Sequence, residues 1–178
     1  VIGLGDADLY RQLLVELGIE GETRERVLDR LAAHDHVGLD ETIGELPGIE
    51  ARERETLSRL PMLRGGPEVL EAARELGGDS VERASSRLQA TFEALAERDV
   101  ADRVQLDLGL LRDLGYYTGA IVEVYDPALG HILGGGGRYD ELMGRFGRPL
   151  PAAGFALYLE RVHIAQAEEE RVAEEEAL

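Results

Sequence analysis

The sequence has no cysteine, no lysine, no asparagine and no tryptophan. Without cysteine, disulfides and thiolate metal sites are excluded. Without lysine, all 19 cationic side chains are arginine, which reads as genome base composition rather than mechanism. The missing lysine also excludes a phosphate loop of the Walker type, whose glycines must be followed by Lys and then Ser or Thr. No apolar run approaches the ~20 residues that cross a bilayer, and no secretory signal pattern is present. A cytoplasmic protein is the expectation. Positive charge is scarce, with 19 cationic against 36 acidic residues and a net charge of −17. Affinity for phosphate backbones comes from clustered Lys and Arg, so the composition argues against broad nucleic-acid binding. Arg138, Arg145 and Arg148 fall close together. His34, His36, His131 and His163 show no metal spacing with carboxylates, so neither a metal nor a cofactor is expected.

What is present is an ordinary globular composition, 44% hydrophobic and 31% charged over 178 residues. That length suits one domain, or a core with a small inserted subdomain. The chain opens on Val1 inside a predicted strand, "VIGLGD", and so reads as a piece of a longer protein. Asp6 or Asp8 is placed to cap a helix through Leu17, which Gly18 stops. A second helix is predicted from Glu22 to His34, then short helices over 35–60 broken by Gly38, Gly44, Pro47 and Gly48. Pro67 opens a helix to Leu76. A long helix follows with Val81, Ala84, Leu88, Phe92 and Leu95 on one face. After Asp99 the period changes to two. "RVQLDLGLL" puts Val104, Leu106 and Leu108 on one side and Gln105 and Asp107 on the other. "GAIVEVYDP" and "GHILGGGG" make a hairpin through the turn Asp126 to Gly130. "AAGFALYLERVHIAQA" begins as a strand and becomes a helix near Glu160. The "AEEERVAEEEAL" end is a solvated acidic helix end or tail. The fold class is α+β, with an antiparallel sheet behind a helical block.

Two stretches are dense in chemistry. In "HILGGGGRYDELMGRFG" the glycines Gly134 to Gly137 end a strand, where they permit a close approach of backbone or ligand. Taken alone they mark a bulge or tight packing point. Arg138, Tyr139 and Asp140 then start a helix, with Asp140 favoured at its N-terminus. In "LLRDLGYYTGAIVEVY" Arg112, Tyr116 and Tyr117 precede a strand carrying Glu123. One guanidinium, two phenols and a carboxylate suit a zwitterionic amino acid; the plainer reading is a polar turn with two half-buried tyrosines. "GLGDAD" is half a dinucleotide fingerprint, lacking the third glycine and carrying acid where pyrophosphate would bind.

Together, "LLRDLGYYTGAIVEVY", "GGGGRYDELM" and "AAGFALYLERV" resemble histidyl-tRNA synthetases over Arg103 to Val162. Those proteins carry an Arg-Gly-Leu-Asp-Tyr-Tyr motif, a Gly-Gly-Gly-Arg-Tyr-Asp motif and a class II motif 3 ending in Glu-Arg. The resemblance implies a class II aminoacyl-tRNA synthetase-like antiparallel sheet with flanking helices and a helical insertion. It divides the chain into a core start (1–20), the insertion (21–79), a core helix with strands and motif 3-like strand-helix (80–168) and an acidic tail (169–178). It also implies that motifs 1 and 2 and any anticodon-binding domain lie outside this chain.

Two departures redirect the resemblance. Asp113 and Gly115 have exchanged places within Arg112-Asp113-Leu114-Gly115-Tyr116-Tyr117. Tyr158 stands where the synthetases have a glycine against which ATP lies, so a phenol obstructs adenine. With "GRFGRPLPAAGFALYLERV" and "LPMLRGGPEVLEAAREL", the chain resembles the synthetase paralogues of histidine biosynthesis, regulatory subunits of short-form ATP phosphoribosyltransferase. The resemblance implies a non-catalytic subunit that binds histidine, joins the short catalytic subunit, and self-associates. It implies a histidine pocket of Arg112, Tyr116, Tyr117 and Tyr139 over a floor of Gly134, Gly135 and Gly136. Arg161 falls at a vestigial nucleotide position. Two alternatives stay open: part of a true histidyl-tRNA synthetase, charging tRNA with histidine using ATP, and a free-standing binding module.

Overall fold

The computed structural model describes residues 1–112, 115–126 and 130–176, with the side chains of the last helix followed to Val172. Six strands form one sheet: β1 (Ile2–Asp6), β2 (Arg64–Gly65), β3 (Val104–Asp107), β4 (Ala120–Asp126), β5 (His131–Arg138) and β6 (Ala153–Leu157). Their order across the sheet is β2-β3-β1-β4-β5-β6. Neighbours are antiparallel except β1 and β3, which run parallel with Leu4 opposite Leu106. The sheet is therefore mixed rather than wholly antiparallel as the sequence suggested. The parallel pair follows from the long excursion between β1 and β3, because parallel neighbours need a crossover.

That crossover carries the helices α1 (Leu9–Glu16), α2 (Gly21–Ala32), α3 (His36–Gly44), α4 (Ala51–Arg59), α5 (Glu68–Leu76) and α6 (Asp79–Ala96). The last helix, α7 (Leu159–Glu176), follows β6. The 3.6 period sets the packing. In α6, Val81, Ala84 and Leu88 are buried, with Phe92 and Leu95 half-buried behind them. One continuous apolar cluster joins Leu4 of β1, Leu13 of α1, Val27 of α2, Leu57 of α4, Leu88 of α6 and Leu106 of β3. Tyr10 is fully buried inside it and donates its hydroxyl to the Leu108 carbonyl at 2.8 Å. Burial pushes that phenol well above its ordinary range.

Several expectations are corrected here. Gly38 does not break the helical block but lies inside α3. The Asp35 carboxylate accepts its N–H at 2.9 Å as an N-cap. Asp8 holds the N-cap position of α1 without a side-chain cap bond. Asp6 accepts the Asp8 N–H instead, at 3.0 Å. Its carboxylate, wholly shielded from solvent, is gripped by Arg87 of α6 at 2.7 and 2.9 Å. Asp107, expected on the wet side of its strand, is buried. Its charge is met by Arg64 of β2 at 2.6 Å and the Gly109 N–H at 2.9 Å. The predicted strand end at Pro127, most of the turn from Asp126 to Gly130, and Asp113 of the exchanged pair lie outside the described residues. No helix among the described residues is long and apolar enough to cross a membrane.

Candidate functional site

The glycine run is not a terminus or a turn: β5 passes through all four residues. None of Gly134 to Gly137 has a left-handed φ. Their service is room. Side chains alternate across a strand, so the run serves two faces. On one face Gly135 stands opposite Glu123 and Gly137 opposite Ile121. A Cβ on Gly135 would collide with the Arg112 guanidinium and lie 2.9 Å from the Val122 carbonyl. A Cβ on Gly137 would lie 2.8 Å from the Tyr117 ring and from Ile121. On the other face, a Cβ on Gly134 would press to 2.5 Å on the Ala156 carbonyl, and one on Gly136 would collide with the Gly154 carbonyl. Gly134 and Gly136 therefore face the β6 backbone, and the floor beneath Arg112 and Tyr117 is Gly135 and Gly137. The sequence-derived floor of Gly134, Gly135 and Gly136 shares only its middle member with that surface.

Above Gly135, Arg112 reaches the Glu123 carboxylate at 3.3 Å, both side chains about four-fifths shielded from water. The carboxylate that the sequence offered to a ligand thus meets the arginine from the same stretch. Beside this pair the three tyrosines converge. The Tyr116 and Tyr117 ring centres are 4.7 Å apart. Tyr139 meets Tyr116 edge-on at 5.6 Å and Tyr117 at 6.3 Å. Such offset and edge contacts suit the ring quadrupoles. The cluster rests on Ala7, Leu110 and Ile121. Tyr117 is buried (5% exposed) and forms a wall of the cluster. Burial, with the Tyr116 phenol beside it, pushes the Tyr117 hydroxyl above its ordinary range, and Arg112 works in the opposite direction.

Arg138, Tyr139 and Asp140 do not start a helix. Arg138 ends β5, and the next helical turn begins at Met143. Tyr139 is fixed instead by its N–H on the Ala152 carbonyl, 2.7 Å, and Asp140 by its N–H on the Thr118 hydroxyl, 2.9 Å. Arg138 pairs with Asp140 at 2.7 Å. Three residues of this neighbourhood were left out of the site derived from the sequence. Gly154 lies under the Tyr139 hydroxyl, which a Cβ would approach to 2.6 Å. Arg11 of α1 donates to the Tyr117 carbonyl at 2.8 Å from 106 residues away, a separation no local pattern can report. Gly137 was visible in the run but was left out of the floor, because choosing among the four glycines needs the register.

Arg161 lies apart from this cluster, in the first turn of α7. Its guanidinium stacks 4.6 Å over the half-exposed Tyr158 ring and donates to the Ile132 carbonyl at 2.9 Å. Both acceptors belong to the chain itself.

The histidyl-tRNA synthetase family model matches residues 1–162. An ATP phosphoribosyltransferase regulatory subunit from Moorella thermoacetica is 39% identical over 168 residues, covering 94% of this chain and 43% of the relative. The chain spans 41–49% of the length of such curated relatives. Among solved structures, an ATP phosphoribosyltransferase regulatory subunit/histidyl-tRNA synthetase from Bacillus halodurans superposes with a TM-score of 0.84 at 30% identity, covering 92% of this chain and 43% of that one. A histidine–tRNA ligase subunit from Alicyclobacillus acidocaldarius superposes with a TM-score of 0.77 at 30% identity, covering 95% and 54%.

Proposed function

Because the chain belongs to the histidyl-tRNA synthetase family, we propose that it is part of a regulatory subunit of ATP phosphoribosyltransferase. In this reading the subunit is non-catalytic, senses histidine and activates a short catalytic subunit at the first step of histidine biosynthesis. The observation that carries it is the 39% identity across 94% of the chain to a curated regulatory subunit. Arg161 supports it from the geometry. The guanidinium at the nucleotide position stacks over Tyr158 and donates one N–H to the Ile132 carbonyl, and Tyr158, just after β6, stands where an adenine would lie. Residues 21–79 are read as the family's helical insertion, which also contributes the edge strand β2 to the sheet.

Histidine is read by the tyrosine cluster. An imidazole needs a partner for each ring nitrogen, and phenols can donate or accept. Tyr116 and Tyr139 are the half-buried members, whereas Tyr117 forms the wall. Arg112, held by Glu123, offers its remaining N–H groups to the ligand carboxylate. Binding biases the holoenzyme between states with a coupling of typically ~1–3 kcal/mol.

The full-length protein should therefore show no histidine-dependent ATP–pyrophosphate exchange, and should bind histidine saturably in isothermal titration. Tyr139→Ala should weaken that binding at least tenfold; equal affinity in both refutes the pocket. The 30% identity to a histidine–tRNA ligase subunit favours a second reading, part of a synthetase. Histidine-dependent exchange would establish that reading in place of the first.

A further inference from the structure

Neither Tyr117 nor Tyr139 lies in a helix or a strand. Tyr117 precedes β4, and Tyr139 is the first residue after β5. The ladder bonds of the sheet therefore do not place these two rings; bonds between the two loops do, and they converge on Thr118. Its N–H donates to the Arg138 carbonyl at 2.7 Å. Its hydroxyl accepts the Asp140 N–H at 2.9 Å. Those groups belong to the two peptides that flank Tyr139, so one residue grips the chain on both sides of that ring. The Thr118 end of the grip is itself anchored. The carbonyl of the Tyr117–Thr118 peptide accepts Arg11 at 2.8 Å, and the Gly119 carbonyl accepts the Ala7 N–H at 2.8 Å. Gly119, buried and at a φ of 87°, then turns the chain into β4, a conformation that favours glycine.

We propose that Thr118 is the positioning residue of the tyrosine cluster, a clamp that holds Tyr139 6.3 Å from Tyr117 so that both rings face one ligand. It acts through Tyr139 and is not itself the reader. The backbone half of the clamp is open to any residue but proline. The other half needs a side-chain oxygen at this position. Serine supplies one; valine, of the same branched shape, does not. Without the hydroxyl the part-buried Asp140 N–H loses its acceptor. Tyr139 then leaves the held arrangement for part of the time, and apparent affinity falls with the fraction of molecules that keep it. The effect on affinity rests on the reading of the cluster as a histidine pocket; the clamp on Tyr139 does not.

The full-length protein is compared with Thr118→Val and Thr118→Ser, each checked for folding by far-ultraviolet dichroism; Thr118→Ala, which also lacks the hydroxyl, replaces Thr118→Val if that variant does not fold. In isothermal titration with histidine, Thr118→Val should bind about fivefold more weakly, the order of one lost hydrogen bond. Thr118→Ser should bind as the wild type does. A second measurement needs no ligand. The near-ultraviolet dichroism of Thr118→Val should differ from that of the wild type, and the difference should vanish when both proteins also carry Tyr139→Ala. Wild-type affinity in Thr118→Val, an equal loss in Thr118→Ser, or a dichroism difference that persists without Tyr139 would each overturn the proposal. A wild type that binds no histidine would refute the histidine reading instead, and the dichroism comparison would then decide the clamp alone.

Discussion

The two halves of the sheet are built by different means. On the β2-β3-β1 side, six helices cover the strands, and leucines from every layer meet in one continuous cluster. On the β4-β5-β6 side, a small group of tyrosines and short apolar residues does the packing. Beyond it, Phe155, Leu157 and Tyr158 are about half exposed, and Leu159 of α7 is 75% exposed. Among the described side chains of α7 only Ala165 is buried. The first half is held by the number and fit of buried methyl groups. The second is held by glycines that let arginine, tyrosine and the neighbouring backbone approach to contact. The two halves are thereby separated: the helical half fixes the sheet, and the glycine half brings Arg112 and the three tyrosines together.

The largest effect tests that separation directly. Leu13→Ala, in the leucine cluster, should cost about 2–5 kcal/mol in denaturant unfolding. Leu157→Ala, on the exposed strand β6, should fall within about 0.5 kcal/mol of the wild type. Equal costs would erase the contrast. Next, Gly136→Ala should cost about 1–3 kcal/mol by overpacking, because its Cβ would meet the β6 backbone. Amide exchange should then show β6 losing protection while β1 keeps it. Loss on both strands together would mean that the halves are not separable.

Smaller still is Gly154→Ala. Its Cβ would displace the Tyr139 hydroxyl, so the near-ultraviolet dichroism of the tyrosines should change with little loss of stability. An unchanged spectrum would place Tyr139 outside the cluster. The smallest effect is a pH dependence in the helical half. Burial alone would raise the Glu16 carboxyl; the hydrogen bonds from Ser80 and Asp79, with Arg83 nearby, together outweigh it and hold the group below its ordinary value. A carboxylate whose folded pKa is lowered adds stability above its unfolded pKa and loses it as pH falls through the folded one. Glu16→Gln should remove that slope from the acid limb of the stability profile. An unaltered limb would assign acid sensitivity elsewhere. The group is mostly solvated, so the change is small.

The same division governed what could be read from sequence. Helical spacing marked Val81, Ala84 and Leu88 because α6 buries one stripe against a core, and alternation marked Val104 and Leu106 for the same reason. The two-residue strand β2 is too short to show any period. The buried acids Asp6 and Asp107 escaped because their partners, Arg87 and Arg64, come from distant elements. In the site, the residue types were legible from the motifs: Arg112, the tyrosines and the glycines. The division of labour within Gly134 to Gly137 was not, since it depends on the pairing of β5 with both β4 and β6. The Arg112–Glu123 pair joins two residues of one stretch, yet spacing alone left that carboxylate available to a ligand.

The central claim, that this chain belongs to a regulator rather than a synthetase, meets its most direct test in one measurement. The turnover of a short-form ATP phosphoribosyltransferase is followed with and without the full-length protein, at rising histidine. The regulatory account predicts stimulation by the protein and its reversal by histidine, with the reversal lost in Tyr139→Ala. Turnover unaffected by the protein at every histidine concentration would contradict it.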